Sequence, residues 1–142
     1  MNILVIDGQG GKIGRAIVEQ LRASGFSGEI IAVGTNTTAT AAMMKAGADA
    51  GATGENPVLV NAARADDITG PIGILAANSL LGEITPRMAL AVSESSAQKI
   101  LIPMNRCHIF VAGTPELPFS QTIALAVQAI LQKEEITHGK NN

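Results

Sequence analysis

The sequence predicts a single three-layer α/β domain, and three observations carry that reading. Short apolar runs that read as strands alternate with segments of helical spacing. Glycines punctuate the exits of strands and helices. The 142 residues suit one ordinary domain, and an apolar fraction of 46% against 15% charged supplies a core and argues against disorder.

Asn2–Asp7 is a continuous apolar run ending in Asp-Gly, as expected of a strand buried on both faces. Gly8–Gly11 form a turn, and Lys12–Ala23 follow as a helix with Ile13, Ala16, Ile17 and Leu21 at helical spacing. Glu29–Val33 is the second strand, Gly34–Thr37 its exit loop, and Thr37–Ala46 a helix ended by Gly47. Asp49–Thr53 reads as a short third strand. Asn56-Pro57 reads as an N-cap with proline at the first helical position, opening a helix to about Ala65.

Asp67–Gly70 is the fourth strand, Gly70–Gly73 its exit loop, and Ile74–Leu81 a short apolar helix. Thr85-Pro86 repeats the cap-plus-proline signal for a helix to about Ser95. Lys99–Pro103 and Cys107–Gly113 read as two strands joined by Met104-Asn105-Arg106, a link short enough to demand an antiparallel hairpin. Phe119–Lys133 is the last helix. Residues 1–135 thus form one domain with a mostly parallel sheet and a late antiparallel hairpin, and residues 136–142 a polar, frayed tail.

Composition narrows the function. A net charge of −2, no basic run, and three Phe with neither Trp nor Tyr exclude a nucleic-acid partner. The first residues enter a strand without the pattern of a secretory signal, and no apolar run has the length of a membrane span. Cys107 is the lone cysteine, so an intrachain disulfide is excluded, and a cytoplasmic protein without a membrane partner is expected. From Ile68 to Gln132 the only charged residues are Glu83, Arg87, Glu94, Lys99, Arg106 and Glu116, which points to an apolar face buried in a homo-oligomer.

The most informative stretch is Asp7-Gly8-Gln9-Gly10-Gly11-Lys12-Ile13-Gly14. A glycine-rich turn between a strand and a helix aims backbone N–H groups and a helix N-terminus at an anion, usually a phosphate. Gly8 permits the sharp turn, Gly11 lets backbone approach a pyrophosphate, and Gly14 lets the helix pack on the sheet. On this reading Gly11→Val abolishes ligand binding and leaves the fold largely intact. Ligands in such sheets lie at the carboxyl ends of the strands, which gathers Asp7–Gly14, Gly34–Thr37, Gly70–Gly73 and Met104–Arg106 at one edge.

The spacing Gly8-x-x-Gly11-x-x-Gly14 with Arg15-Ala16-Ile17-Val18 resembles the first loop of the extended short-chain dehydrogenases and related Rossmann proteins. The resemblance covers about the first thirty-five residues. It implies a Rossmann-like α/β/α fold and a bound NAD or NADP. The implied cofactor residues are Gly8, Gln9, Gly10, Gly11, Lys12, Ile13 and Gly14 on the phosphates, Thr35 and Asn36 on the ribose, and Gly70, Pro71, Ile72 and Gly73 over the middle of the ligand. The chain departs from that family where its chemistry lies. It contains no tyrosine, so the family's Tyr–Lys proton transfer is excluded, and Gly34-Thr35-Asn36 replaces the acid that grips the NAD ribose. Lys12 and Arg15 either meet an extra phosphate, favouring NADP, or sit in solvent.

Four further segments resemble a family of small bacterial proteins known only as a domain of unknown function. They are Asp7-Gly-Gln-Gly-Gly11, Ala46-Gly-Ala-Asp-Ala-Gly-Ala-Thr-Gly-Glu-Asn56, Gly70-Pro-Ile-Gly73 and Leu81-Gly-Glu-Ile-Thr-Pro86. That resemblance spans nearly the whole chain and implies no activity.

Other residues have two readings each. Asp7 either accepts N–H bonds from its own turn or holds a magnesium ion against a phosphate. Glu83, the only acid between Asp67 and Glu94, is a general base or a solvated turn carboxylate. Arg106 beside Asn105 either clamps an anion or is solvated. Gly51–Asn56 either reaches adenine or caps a helix. Asp66 and Asp67 read as turn residues. Cys107-His108 is not a metal or nucleophile pair, since neighbours on a strand point to opposite faces, and no metal spacing is present. The sequence therefore predicts a nucleotide-binding domain, with NAD(P) as the expected ligand and no assignable catalytic residue. Its rivals are a small NAD(P)-dependent oxidoreductase with a subunit-interface pocket and a structural homo-oligomer without ligand.

Overall fold

In the computed structural model, which describes residues 1–104 and 108–140, strands and helices alternate as the apolar pattern requires. Strand β1 (Asn2–Asp7) leads through α1 (Lys12–Ala23) to β2 (Glu29–Gly34), and α2 (Thr37–Ala46) leads to β3 (Ala50–Thr53). Helix α3 (Glu55–Ala62) crosses to β4 (Asp67–Pro71), and α4 (Pro86–Glu94) leads to β5 (Gln98–Ile102). Helix α5 (Phe119–Gly139) ends the described fold.

The five strands lie in the order β3-β2-β1-β4-β5, and every pair is parallel. Period-two alternation divides the core between the two faces. Ile3 and Val5 of β1 join Ile13, Ile17 and Leu21 of α1, Met43 of α2, and Ile123, Val127 and Ile130 of α5. Leu4 and Ile6 face the other way, into Val58 of α3 and Met88 and Val92 of α4. The result is a parallel sheet covered on both faces by helices. The winding direction reverses between β1 and β4, so a crevice opens where their carboxyl ends diverge.

The late antiparallel hairpin is not formed. β5 pairs with β4 in parallel, and the described part of the second expected strand, residues 108–113, is irregular. His108 takes φ 55° and Gly113 φ 81°, outside the extended region, and Phe110 is 85% exposed, so no ladder is sustained there. Asn105, Arg106 and Cys107 lie outside the described residues.

Three other boundaries differ from the sequence pattern. Ile74–Leu81 is not an α-helix: a 3₁₀ turn over Ile72–Leu75 gives way to turns in which Asn78, Leu80, Leu81 and Gly82 all have positive φ, which a right-handed helix forbids. Helix α3 starts at Glu55 behind Gly54 rather than behind Asn56, because Pro57 is tolerated anywhere in a first turn whose N–H groups have no intrahelical partner. Helix α5 runs on to Gly139, so residues 136–139 of the expected frayed tail are helical. The Thr85 cap is as expected, its hydroxyl accepting the Met88 N–H at 3.2 Å with Pro86 in the first turn.

Asp66 and Asp67 do more than turn the chain. Asp66 accepts the Asn2 N–H at 2.7 Å, and the wholly buried Asp67 holds the Lys133 ammonium of α5 at 2.5 Å. This pair pins α5 to the amino edge of the sheet, opposite the crevice.

Candidate functional site

The glycine turn sits at the carboxyl end of β1, beside the crevice. Its amides are already engaged by carboxylates. Asp7, only 5% exposed, accepts the Gly8 N–H at 2.8 Å with one oxygen and the Gly14 N–H at 2.7 Å with the other. Asp7 thus caps α1 from within the loop, because the helix begins behind Gly11, which offers no side chain for the purpose. Burial pushes the Asp7 carboxyl above its ordinary range. The amides of Gly14, Gly8 and Ile13 oppose that shift, and the nearby Glu83 charge adds to it.

The second carboxylate comes from far along the chain. One oxygen of Glu83 accepts the Gln9 N–H at 2.9 Å, the Asn36 side-chain amide at 3.1 Å and the Thr35 hydroxyl. Gln9 reaches it by adopting φ 49°, an uncommon conformation for a residue with a side chain. Asn36 is oriented for this contact because its carbonyl caps α2 through the Ala39 N–H at 2.9 Å and its amide also donates to the Gln9 carbonyl at 2.9 Å. Burial raises the Glu83 carboxyl. The donors Thr35, Gln9 and Asn36 together outweigh that and hold it below its ordinary range.

Gly8, Gly11 and Gly14 are each explained by packing. A Cβ on Gly8 would lie 2.6 Å from both the Glu83 carboxylate and the Thr35 hydroxyl, and 3.0 Å from Leu80. A Cβ on Gly11, already at φ 74°, would lie 2.8 Å from the Ala39 backbone of α2. Gly11 therefore accommodates a helix, and Gly11→Val strains the fold instead of blocking a ligand alone. Gly14 admits the Met43 side chain of α2 and the Asp7 Cβ of β1, so α1 packs closely on α2 as well as on the sheet. Gly10 has open space around it.

The other expected ligand residues are dispersed. Lys12 lies over the Phe119 ring at 4.7 Å, and Arg15 pairs with Glu19 at 3.8 Å on the exposed face of α1. Ile13 is buried in the core. Gly70 and Pro71 are buried within β4, where a Cβ on Gly70 would strike the Ile6 carbonyl. Ile72 is half-buried, and Gly73 is buried with its carbonyl accepting the Ser79 hydroxyl at 2.5 Å. β3 does lie beside β2, yet Thr53 is engaged with Thr40 at 2.7 Å and Glu55 accepts the Thr85 hydroxyl at 2.6 Å. Among the described residues no group of three or more His, Cys, Asp or Glu is gathered to hold a metal.

The cluster of Asp7, Gln9, Thr35, Asn36 and Glu83 is what the sequence reading missed as a unit. The available signal was Glu83 itself, a lone acid in a long uncharged stretch.

Fold and site together define an α/β protein whose glycine turn meets two carboxylates at the crevice of a parallel sheet. Residues 2–135 match the family described as "Domain of unknown function (DUF3842)", and the chain belongs to that family. Comparison with curated proteins and with solved structures gives no match. Among the described residues no helix is long and apolar enough to cross a membrane.

Proposed function

We propose that this is a Rossmann-like nucleotide-binding protein, with a dinucleotide of the NAD(P) type as the first ligand to consider. The observation that carries the reading is the convergence of three donors, from the β1 and β2 exit loops, on one anionic oxygen of Glu83. A donor set that holds a carboxylate with its charge favoured is suited to a phosphate or to a ribose hydroxyl. Its place beside the β1/β4 reversal is where ligands of such sheets bind. The fit is conditional: the Gly8 and Gly14 amides belong to Asp7, so a phosphate has the Gln9, Thr35 and Asn36 donors to use once Glu83 withdraws.

Binding is favoured over the oxidoreductase alternative because Glu83, the candidate base, is held by three donors that weaken its basicity. Thermal unfolding with NAD, NADP, FAD, ATP, GTP, coenzyme A and S-adenosylmethionine tests the reading. A binder at a hundred times its Kd adds about 2.7 kcal/mol. No stabilisation by any of them contradicts it.

Self-association is a second, compatible reading. Phe110, 85% exposed, and Val111, Leu117 and Leu125, all partly exposed, lie on the segments that follow the edge strand β5. Light scattering at graded concentrations tests it, and a monomer throughout rules it out.

A further inference from the structure

We propose that the turn Asn78–Glu83 is a displaceable plug, an internal anion that the nucleotide must expel from the glycine turn. This rests on the nucleotide-binding reading above and adds its regulation.

The turn crosses from the β4 side of the crevice to the β2 side. Leu80 and Glu83 both cover Gly8, and Glu83 occupies the Gln9, Thr35 and Asn36 donors. A ligand on those donors and Glu83 on those donors exclude one another. Three features favour release of the turn as a unit. Its backbone bonds close mainly on itself, from Gly82 N–H to the Asn78 carbonyl at 3.1 Å, Glu83 N–H to Leu80 at 3.1 Å and Ile84 N–H to Ser79 at 3.2 Å. Asn78, Leu80 and Leu81 hold φ of 67°, 54° and 56°, conformations that side chains disfavour, so the closed form stores strain. Leu81 is 98% exposed, so packing does not compensate for its strain. The charge on the neighbouring Asp7 also opposes that on Glu83. The fixed end is Ile84, wholly buried ahead of the Thr85 cap.

The test measures affinity for NAD, NADP and ADP by calorimetry in wild type, Glu83→Ala, Glu83→Gln and Leu81→Gly. Removing the plug tightens binding by about tenfold or more if the open form is a tenth or less of the wild type. Leu81→Gly relieves the left-handed strain without removing packing, so it favours the closed turn and weakens binding. Opposite signs for Glu83→Ala and Leu81→Gly support the plug. If Glu83→Ala does not fold, Glu83→Gln against Leu81→Gly gives the same comparison. Wild-type binding that is unchanged or weakened by loss of the Glu83 charge overturns the plug while leaving the nucleotide reading intact. No binding by wild type or any Glu83 variant overturns the nucleotide reading and the plug with it.

Discussion

Thr35 and Glu83 are separated by 48 positions, yet the Thr35 hydroxyl donates to the Glu83 carboxylate directly above the glycine turn. The contact ties the exit of β2 to the long connection after β4. A hydrogen bond to a charged acceptor contributes about 1.5–3 kcal/mol, reduced where solvent reaches it. We expect Thr35→Val and Glu83→Gln each to lower stability by about 1 kcal/mol, and the double variant to lose less than their sum. Urea unfolding of the four proteins checks this, and strict additivity means the two side chains do not interact in solution.

Asp7 gives the pH dependence a defined sign. Its carboxyl titrates above the ordinary 3.8, chiefly through burial. The folded state therefore binds more protons than the unfolded state between 3.8 and the raised value. The Asp7 contribution is greatest below that window and declines as pH rises through it. Wild type should thus lose stability relative to Asp7→Asn as pH rises from about 4, measured by unfolding at stepped pH. A relative gain over that interval would show Asp7 to be stabilised as the anion.

The glycine turn predicts a contrast between adjacent positions. Gly11→Val, at φ 74° against Ala39, should cost about 3 kcal/mol or more. Gly10→Ala, with open space, should stay within about 0.5 kcal/mol. Thermal melts distinguish them, and equal melting temperatures would mean that α2 does not pack against the turn as described.

At the opposite edge, Lys133→Met leaves Asp67 buried without its cation. Asp67 is already short of partners: its second oxygen, like the Thr69 hydroxyl, has no hydrogen bond among the described residues. Losing one member of such a pair costs about 3–5 kcal/mol, and somewhat less here because Lys133 keeps some exposure. Asp67→Asn in the Lys133→Met background should recover part of the loss. A Lys133→Met melt equal to wild type would show that α5 is not held by this pair.

Strands β1, β2 and β4 were legible because apolar runs and glycine exits report directly on buried parallel strands. Asp7 as a cap of its own turn was legible as one of two readings, since Asp-Gly favours local N–H bonds. The hairpin was misread because a three-residue link implies antiparallel pairing only if the next segment is extended, and positive φ at His108 is invisible in composition. The failed helix at Ile74–Leu81 has the same origin: apolar spacing does not reveal that Asn78, Leu80 and Leu81 turn left-handed to carry Glu83 across the crevice. The Glu83 contacts were hidden because their partners lie 47 to 74 positions away. Lys133 on Asp67 is a long-range pair of the same kind, 66 positions apart.

On the proposed reading, the Gln9 amide and the Thr35 and Asn36 side chains receive an anionic ligand at the β1/β4 crevice. Amide chemical shifts in a ¹H–¹⁵N spectrum, recorded while NAD or ADP is added, test it at the atoms concerned. Saturable shifts are expected at Gln9 and at the Thr35, Asn36 and Glu83 positions, with those near Lys133 unmoved. Shifts confined to other surfaces, or none at saturating nucleotide, would contradict it.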